Sequence, residues 1–118
     1  GYFVSPTVIT DARAEMSIVR EEIFGPVVVA EPFQTVEEVL PVANDTIYGL
    51  AAGIWTRDIS KAHRVAAQIR AGTVWINCFN IFDAALPFGG YKQSGWGREM
   101  GREVLDLYTE TKAICIGL

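Results

Sequence analysis

The spacing of hydrophobic positions changes several times along the chain, and each change predicts an element. Tyr2–Thr10 is a largely apolar, extended stretch. Met16–Glu21 has room for one short helical turn. Pro26-Val27-Val28-Val29-Ala30 is a continuous apolar run, the pattern of a strand covered on both faces. After Thr35 the period lengthens. Val36, Val39, Leu40 and Ala43 fall at i, i+3, i+4 and i+7, one face of a helix. Thr35 is a good N-cap, Glu37 and Glu38 suit the positive helix end, and Pro41 predicts a kink or an early stop. Leu50–Thr56, which follows Gly49, reads as a second buried strand. Asp58 or Ser60 can cap a helix with the apolar stripe Ile59, Ala62, Ala66 and Ile69, and Gly72 reads as its stop. Thr73–Ile76 reads as a third strand. Strand, helix, strand, helix, strand predicts an α/β fold: a parallel sheet with right-handed crossover helices.

After Cys78 the periodicity fades. Phe79–Gly97 is rich in glycine and aromatics, and a loop of that length in a compact domain is usually functional. Helical spacing returns over Gly97–Tyr108 through Met100, Val104 and Leu107, and Thr111–Leu118 reads as a terminal strand. There is no internal repeat.

Composition narrows the function classes. With 118 residues, half of them hydrophobic, the chain can form one domain with a core. Its net charge is −4 and its Lys and Arg are scattered, so no basic patch for nucleic acid is present. No apolar run reaches the roughly 18 residues of a membrane span, and no basic-then-apolar leader precedes the first strand. Cys78 and Cys115 stand far apart beside a single histidine, His63, which disfavours a zinc site and fits a reducing, cytoplasmic setting. The opening Gly1-Tyr2-Phe3 runs straight into apolar sequence, as expected for a piece of something longer.

Two stretches carry candidate chemistry. In REEIFGPVVV (20–29), Glu21 and Glu22 sit at the mouth of a predicted buried strand. Carboxylates there cost desolvation unless paired, so they either cap the strand in solvent or bind something. In PFGGYKQSGWGREMG (87–101), Lys92 does not follow a glycine as a Walker A loop requires. Gly95, Gly97 and Gly101 miss the dinucleotide-loop spacing by one residue and follow no strand. What remains is a tight turn with Phe88 and Trp96 held near it.

EEIFGPV (21–27), YGLAAGIWT (48–56), AGTVWINC (71–78) and PFGGYKQSGWGRE (87–99) together resemble the C-terminal part of the catalytic domain of NAD(P)-dependent aldehyde dehydrogenases, close in flavour to bacterial betaine-aldehyde and phenylacetaldehyde dehydrogenases. The resemblance covers essentially the whole chain. It implies a C-terminal fragment of the catalytic domain over residues 1–108 and an oligomerisation strand over residues 109–118. It implies oxidation of a small-molecule aldehyde to a carboxylic acid with NAD or NADP, by way of a cysteine thiohemiacetal. The cysteine nucleophile and the general-base glutamate lie in the missing N-terminal part of the same enzyme, so the isolated chain is expected to be inactive. The full enzyme is expected to be a homo-oligomer, a dimer or tetramer, with no nucleic-acid or membrane partner.

The resemblance also implies residue roles. Glu22 would accept hydrogen bonds from the nicotinamide-ribose hydroxyls, while Phe24 and Leu50 would border the nicotinamide. Phe82 and Phe88 would line an aldehyde funnel, whose aromatic walls suit an uncharged aldehyde or a soft cation. Glu99 would relay protons. The backbone carbonyls of Lys92 and Gly95 would bind potassium. The residues alone leave plainer readings open: a solvated strand cap for Glu22, core packing for Leu50, loop packing for Phe82 and Phe88, and a helix-dipole charge for Glu99. Cys78 reads as a small buried hydrophobe and His63 as a solvated helix residue. A stand-alone α/β binding or oligomerisation module, and a small redox protein using Cys78 or Cys115, also stay open.

Overall fold

The structure, a computed structural model, describes residues 1–118 as two compact units, residues 1–39 and 40–118. In the first, β1 (Thr7–Ile9) pairs in parallel with β2 (Val27–Val29), Thr7 opposite Val27 and Ile9 opposite Val29. Between them lies α1 (Ser17–Arg20), where Arg20 Nε donates to the Ala14 carbonyl at 2.7 Å. The long extended stretch predicted over Tyr2–Thr10 contracts to three residues, because only those find a ladder partner in β2. Nor is the valine run covered on both faces: Val28 is 55% exposed. Each strand of this pair has a single neighbour.

Helix α2 (Val36–Asn44) begins on a reciprocal cap. Thr35 Oγ1 accepts from the Glu38 N–H at 3.2 Å, and the Glu38 carboxylate accepts from the Gln34 N–H at 2.9 Å. Pro41 does not shorten the helix, which continues to Asn44. The bond that proline cannot donate belongs to the carbonyl of Glu37, an exposed first-turn residue open to water.

The second unit holds β3 (Tyr48–Gly49), β4 (Ala51–Ile54), α3 (Ile59–Gln68), β5 (Thr73–Ile76), β6 (Tyr91–Lys92) and α4 (Leu105–Tyr108). β4 and β5 run parallel, from Ala51 opposite Thr73 to Ile54 opposite Ile76, with α3 as the crossover. β3 and β6 run antiparallel. The architecture is therefore α/β with parallel pairs, but the one parallel sheet expected from the sequence is replaced by three two-stranded sheets. The predicted strand at Leu50–Thr56 splits the work: Gly49 pairs with Tyr91, and the ladder to β5 starts at Ala51.

Asp58, rather than Ser60, caps α3, its Oδ1 accepting from the Lys61 N–H at 2.9 Å. That bond holds the Asp58 carboxyl below its ordinary range. The inward face of α3 is Ala62 and Val65 with half-buried Ala66 and Ile69, so the predicted stripe holds except at Ile59, which is 64% exposed. Ala62 and Val65 join Leu40 and Trp75 as the buried core. Gly72 is not the helix stop. Ile69 is the C-cap, and Gly72 serves a close approach: a Cβ there would overlap the carbonyl oxygen of Gly89. The helix predicted over Gly97–Tyr108 contracts to α4, because Gly97, Met100 and Gly101 have φ of 84°, 58° and 61°, which a right-handed helix cannot accommodate. Residues 110–118 form no helix or strand and pair with no backbone of this chain.

Candidate functional site

The glycine- and aromatic-rich loop closes on itself through a two-bond bridge. The Phe88 N–H donates to the Glu99 carbonyl at 2.7 Å, and the Glu99 N–H returns to the Phe88 carbonyl at 2.7 Å. Inside this bridge the chain turns after β6. The Ser94 N–H donates to the Tyr91 carbonyl at 3.1 Å, and Ser94 Oγ accepts from the Gly49 N–H at 3.0 Å. Arg98 Nη1 donates to the carbonyls of Gly90 (3.0 Å) and Gly97 (2.6 Å), and its guanidinium lies 5.2 Å from the centre of the Tyr91 ring. Gly89 must be small here, since a Cβ would come within 2.6 Å of the Gly97 carbonyl oxygen. The result is a cleft of about 560 Å³ walled by Leu50, Phe88, Ser94, Trp96, Glu99 and Tyr108 among others.

A row of aromatics backs this cleft. Phe79 meets Trp75 at 4.9 Å between ring centres, Trp75 meets Phe82 edge-on at 5.7 Å, and Phe82 meets Phe88 edge-on at 5.1 Å. Edge-to-face geometry at these distances is the favoured arrangement of ring quadrupoles. Trp75 sits centrally because β5 buries it, and its indole N–H donates to the Ile81 carbonyl at 2.8 Å. Phe82 and Phe88 also line a smaller, mainly apolar pocket of about 220 Å³ with Cys78 and Thr73. Phe88 is thus the wall shared by pocket and cleft. The hydroxyl oxygen of Thr73 is buried without a hydrogen-bond partner.

Leu50, Phe88 and Glu99 therefore meet in one cleft, with Phe82 stacked behind it. Glu99 is exposed and no helix starts at it, which removes the helix-dipole reading. Lys92 and Gly95 share one turn, where the Lys92 carbonyl accepts the Gly95 N–H at a long 3.4 Å. The Lys92 ammonium donates to the carbonyls of Asn44 (2.8 Å) and Thr46 (3.0 Å). In the first unit, Glu22 is exposed and makes no hydrogen bond, so its carboxylate pays no desolvation cost. Phe24 is 93% exposed at φ 51°, a conformation unusual for a bulky side chain. Cys78 is half-buried and His63 exposed, while Cys115 is exposed and both thiols are free. Sequence reasoning missed Ser94, Arg98 and Tyr108. Only Arg98 left a signal, an arginine set in a glycine-rich turn with many carbonyls to bind.

Residues 1–114 match the model of the aldehyde dehydrogenase family. Betaine aldehyde dehydrogenase of Bacillus subtilis is 54% identical over 114 residues, which are 97% of this chain and 23% of that protein. Among solved structures, an aldehyde dehydrogenase mutant of Bacillus cereus superposes with a TM-score of 0.89 at 62% identity, over 93% of this chain and 22% of that one. Betaine aldehyde dehydrogenase of Staphylococcus aureus in complex with NAD+ gives 0.85 at 53% identity, over 92% and 22%. The chain spans about a quarter of the length of the curated relatives it matches.

Proposed function

The chain belongs to the aldehyde dehydrogenase family, and from that premise we propose that it is the C-terminal part of the catalytic domain of an NAD(P)-linked enzyme that oxidises an aldehyde to a carboxylic acid. The observation that carries this reading is the Phe88–Glu99 bridge, which sets an aromatic side chain and a carboxylate on one cleft beside Leu50. NAD+ or NADP+, when bound, supplies the hydride acceptor. Glu22 is assigned to hold the nicotinamide-ribose hydroxyls, with Phe24 and Leu50 against the nicotinamide. Support comes from the EEIFGPV motif that carries Glu22 and Phe24, and from the NAD+ complex of the Staphylococcus aureus relative. Phe82 and Phe88 form the aldehyde funnel. Glu99, exposed in the cleft, passes protons to water there. The cysteine that attacks the aldehyde to form a thiohemiacetal, and the base that activates water, are assigned to the part of the enzyme outside these residues.

The aromatic walls suit an uncharged aldehyde or one bearing a soft cation. An aldehyde bearing a trimethylammonium group, such as the one in the name of the Bacillus subtilis relative, suits such faces. Potassium on the carbonyls of Lys92 and Gly95, assembly through residues 109–118, and a cytoplasmic setting consistent with two free thiols complete the proposal. A stand-alone module is not favoured, since the family model runs through nearly the whole chain. The test is NADH formation by the full-length protein with betaine aldehyde and with a neutral aldehyde of equal length. Turnover with either aldehyde supports the proposal, and absence of turnover with both sinks it.

A further inference from the structure

Lys92 combines a left-handed backbone, φ 54°, with a side chain that reaches back 48 residues to Asn44. Its ammonium donates to the carbonyls of Asn44 at 2.8 Å and Thr46 at 3.0 Å. Asn44 is the last residue of α2, so its carbonyl has no donor within the helix, and a cation there also suits the negative helix end. The Asn44 side chain is committed as well. Its Nδ2 donates to the Gln68 carbonyl at 2.9 Å, and its Oδ1 accepts from the Arg70 N–H at 2.8 Å. The ends of α2 and α3 and the strand β6 are thus tied at one residue.

The residues that follow Lys92 reach the cleft. Directly after it the Gln93 N–H donates to the Ile47 carbonyl at 2.9 Å, and Ser94 Oγ accepts from the Gly49 N–H at 3.0 Å. Gly49 precedes Leu50, and Leu50 and Ser94 both line the cleft. A lysine at positive φ persists only where its surroundings over-determine it. Two carbonyls on one ammonium are such surroundings.

We propose that Lys92 is a positioning residue: its ammonium, anchored on the carbonyls of Asn44 and Thr46, holds the left-handed turn that sets Leu50 and Ser94 on the cleft wall. This concerns the side chain and is independent of any cation on the Lys92 carbonyl. Its consequence for catalysis rests on the proposed aldehyde dehydrogenase reading.

The experiment uses the full-length protein that carries these residues, with Lys92→Met, Lys92→Gly and Lys92→Arg. Hydrogen exchange read by mass spectrometry over residues 46–50 and 91–95 reports the turn, and 51–54 serves as the control. In Lys92→Met the Gly49 amide exchanges about tenfold faster while the control stays within about twofold, the pattern of a local opening. Glycine accepts the left-handed backbone without strain, so a backbone requirement alone would leave Lys92→Gly at the wild-type rate. The anchor predicts that it behaves like Lys92→Met, with Lys92→Arg recovering part of the protection. In kinetics, the KM for NAD+ rises about fivefold in Lys92→Met and more than the aldehyde KM, because the turn sets Leu50, the residue assigned to the nicotinamide, whereas Phe82 lines a separate pocket. Wild-type exchange in Lys92→Gly overturns the proposal, as does faster exchange with unchanged KM values. A wild-type enzyme without aldehyde oxidation would count against the proposed function alone, and the exchange data would still decide the anchor.

Discussion

Replacing Trp75 with leucine tests the link between the parallel strand pair and the aromatic wall. Leucine keeps an apolar side chain at a position only 9% exposed, but it removes three specific interactions. The indole hydrogen bond to the Ile81 carbonyl is worth about 0.5–1.5 kcal/mol. Ile81 is 64% exposed, so its carbonyl can turn to water and the lower end of that range applies. The contacts with Phe79 and Phe82 at 4.9 and 5.7 Å add about 0.5–1.5 kcal/mol each. The net local loss is about 1.5–3.5 kcal/mol, which at 1.4 kcal/mol per tenfold speeds hydrogen exchange about 12- to 320-fold. The amides to follow are those of Thr73 and Asn77, which donate to Leu50 and Ile54 at 3.1 and 2.8 Å and bracket β5. The measurement belongs in the full-length protein, where a global unfolding energy is poorly defined but local opening remains readable. Phe82 loses its edge partner in the same variant, so the aldehyde KM should rise with the exchange rates. Exchange at both amides within about threefold of wild type would refute the reasoning, because it would mean Trp75 contributes no more than a generic apolar side chain.

Other consequences are equally direct. In the full-length enzyme, Glu22→Gln should slow single-turnover hydride transfer by about tenfold or more, as a charge-assisted bond to the ribose is replaced by a neutral one; an unchanged rate removes Glu22 from the cofactor site. Gly72→Ala should destabilise the structure by about 1–3 kcal/mol, because the new methyl meets the rigid backbone of Gly89 and neither side can yield cheaply; an unaltered melting temperature argues that the loop carrying Phe88 does not pack against Gly72. Removal of residues 110–118 should change the association state of the 118-residue chain, since Ile114 and Ile116 are 78% and 77% exposed with no backbone partner in the chain; sedimentation across a concentration series decides it, and an identical monodisperse species with and without the segment refutes it.

Local signals in the sequence determined the local structure. Asp58 caps α3 because a short acceptor before an apolar stripe satisfies orphan N–H groups whatever surrounds it, and Thr35 with Glu38 caps α2 for the same reason. Thr73–Ile76 is a strand because it is short, β-branched and bounded. The motifs that resemble the family were legible too, and residues 1–114 match its model. Pairing was not legible. That Gly49 pairs with Tyr91 while the ladder to β5 starts at Ala51 depends on partners more than 20 residues away, and periodicity is silent about those. The left-handed residues Gly97, Met100 and Gly101, which remove the first part of the predicted Gly97–Tyr108 helix, also escaped, because a turn imposed by distant contacts overrides helical propensity. The same holds for the cleft itself. Leu50, Phe88 and Glu99 are scattered along the chain, and the Phe88–Glu99 bridge, the Ser94–Gly49 bond and the Arg98 and Lys92 side-chain bonds bring their surroundings together. A hydrogen bond between sequence-distant groups follows from tertiary geometry, which no local pattern encodes.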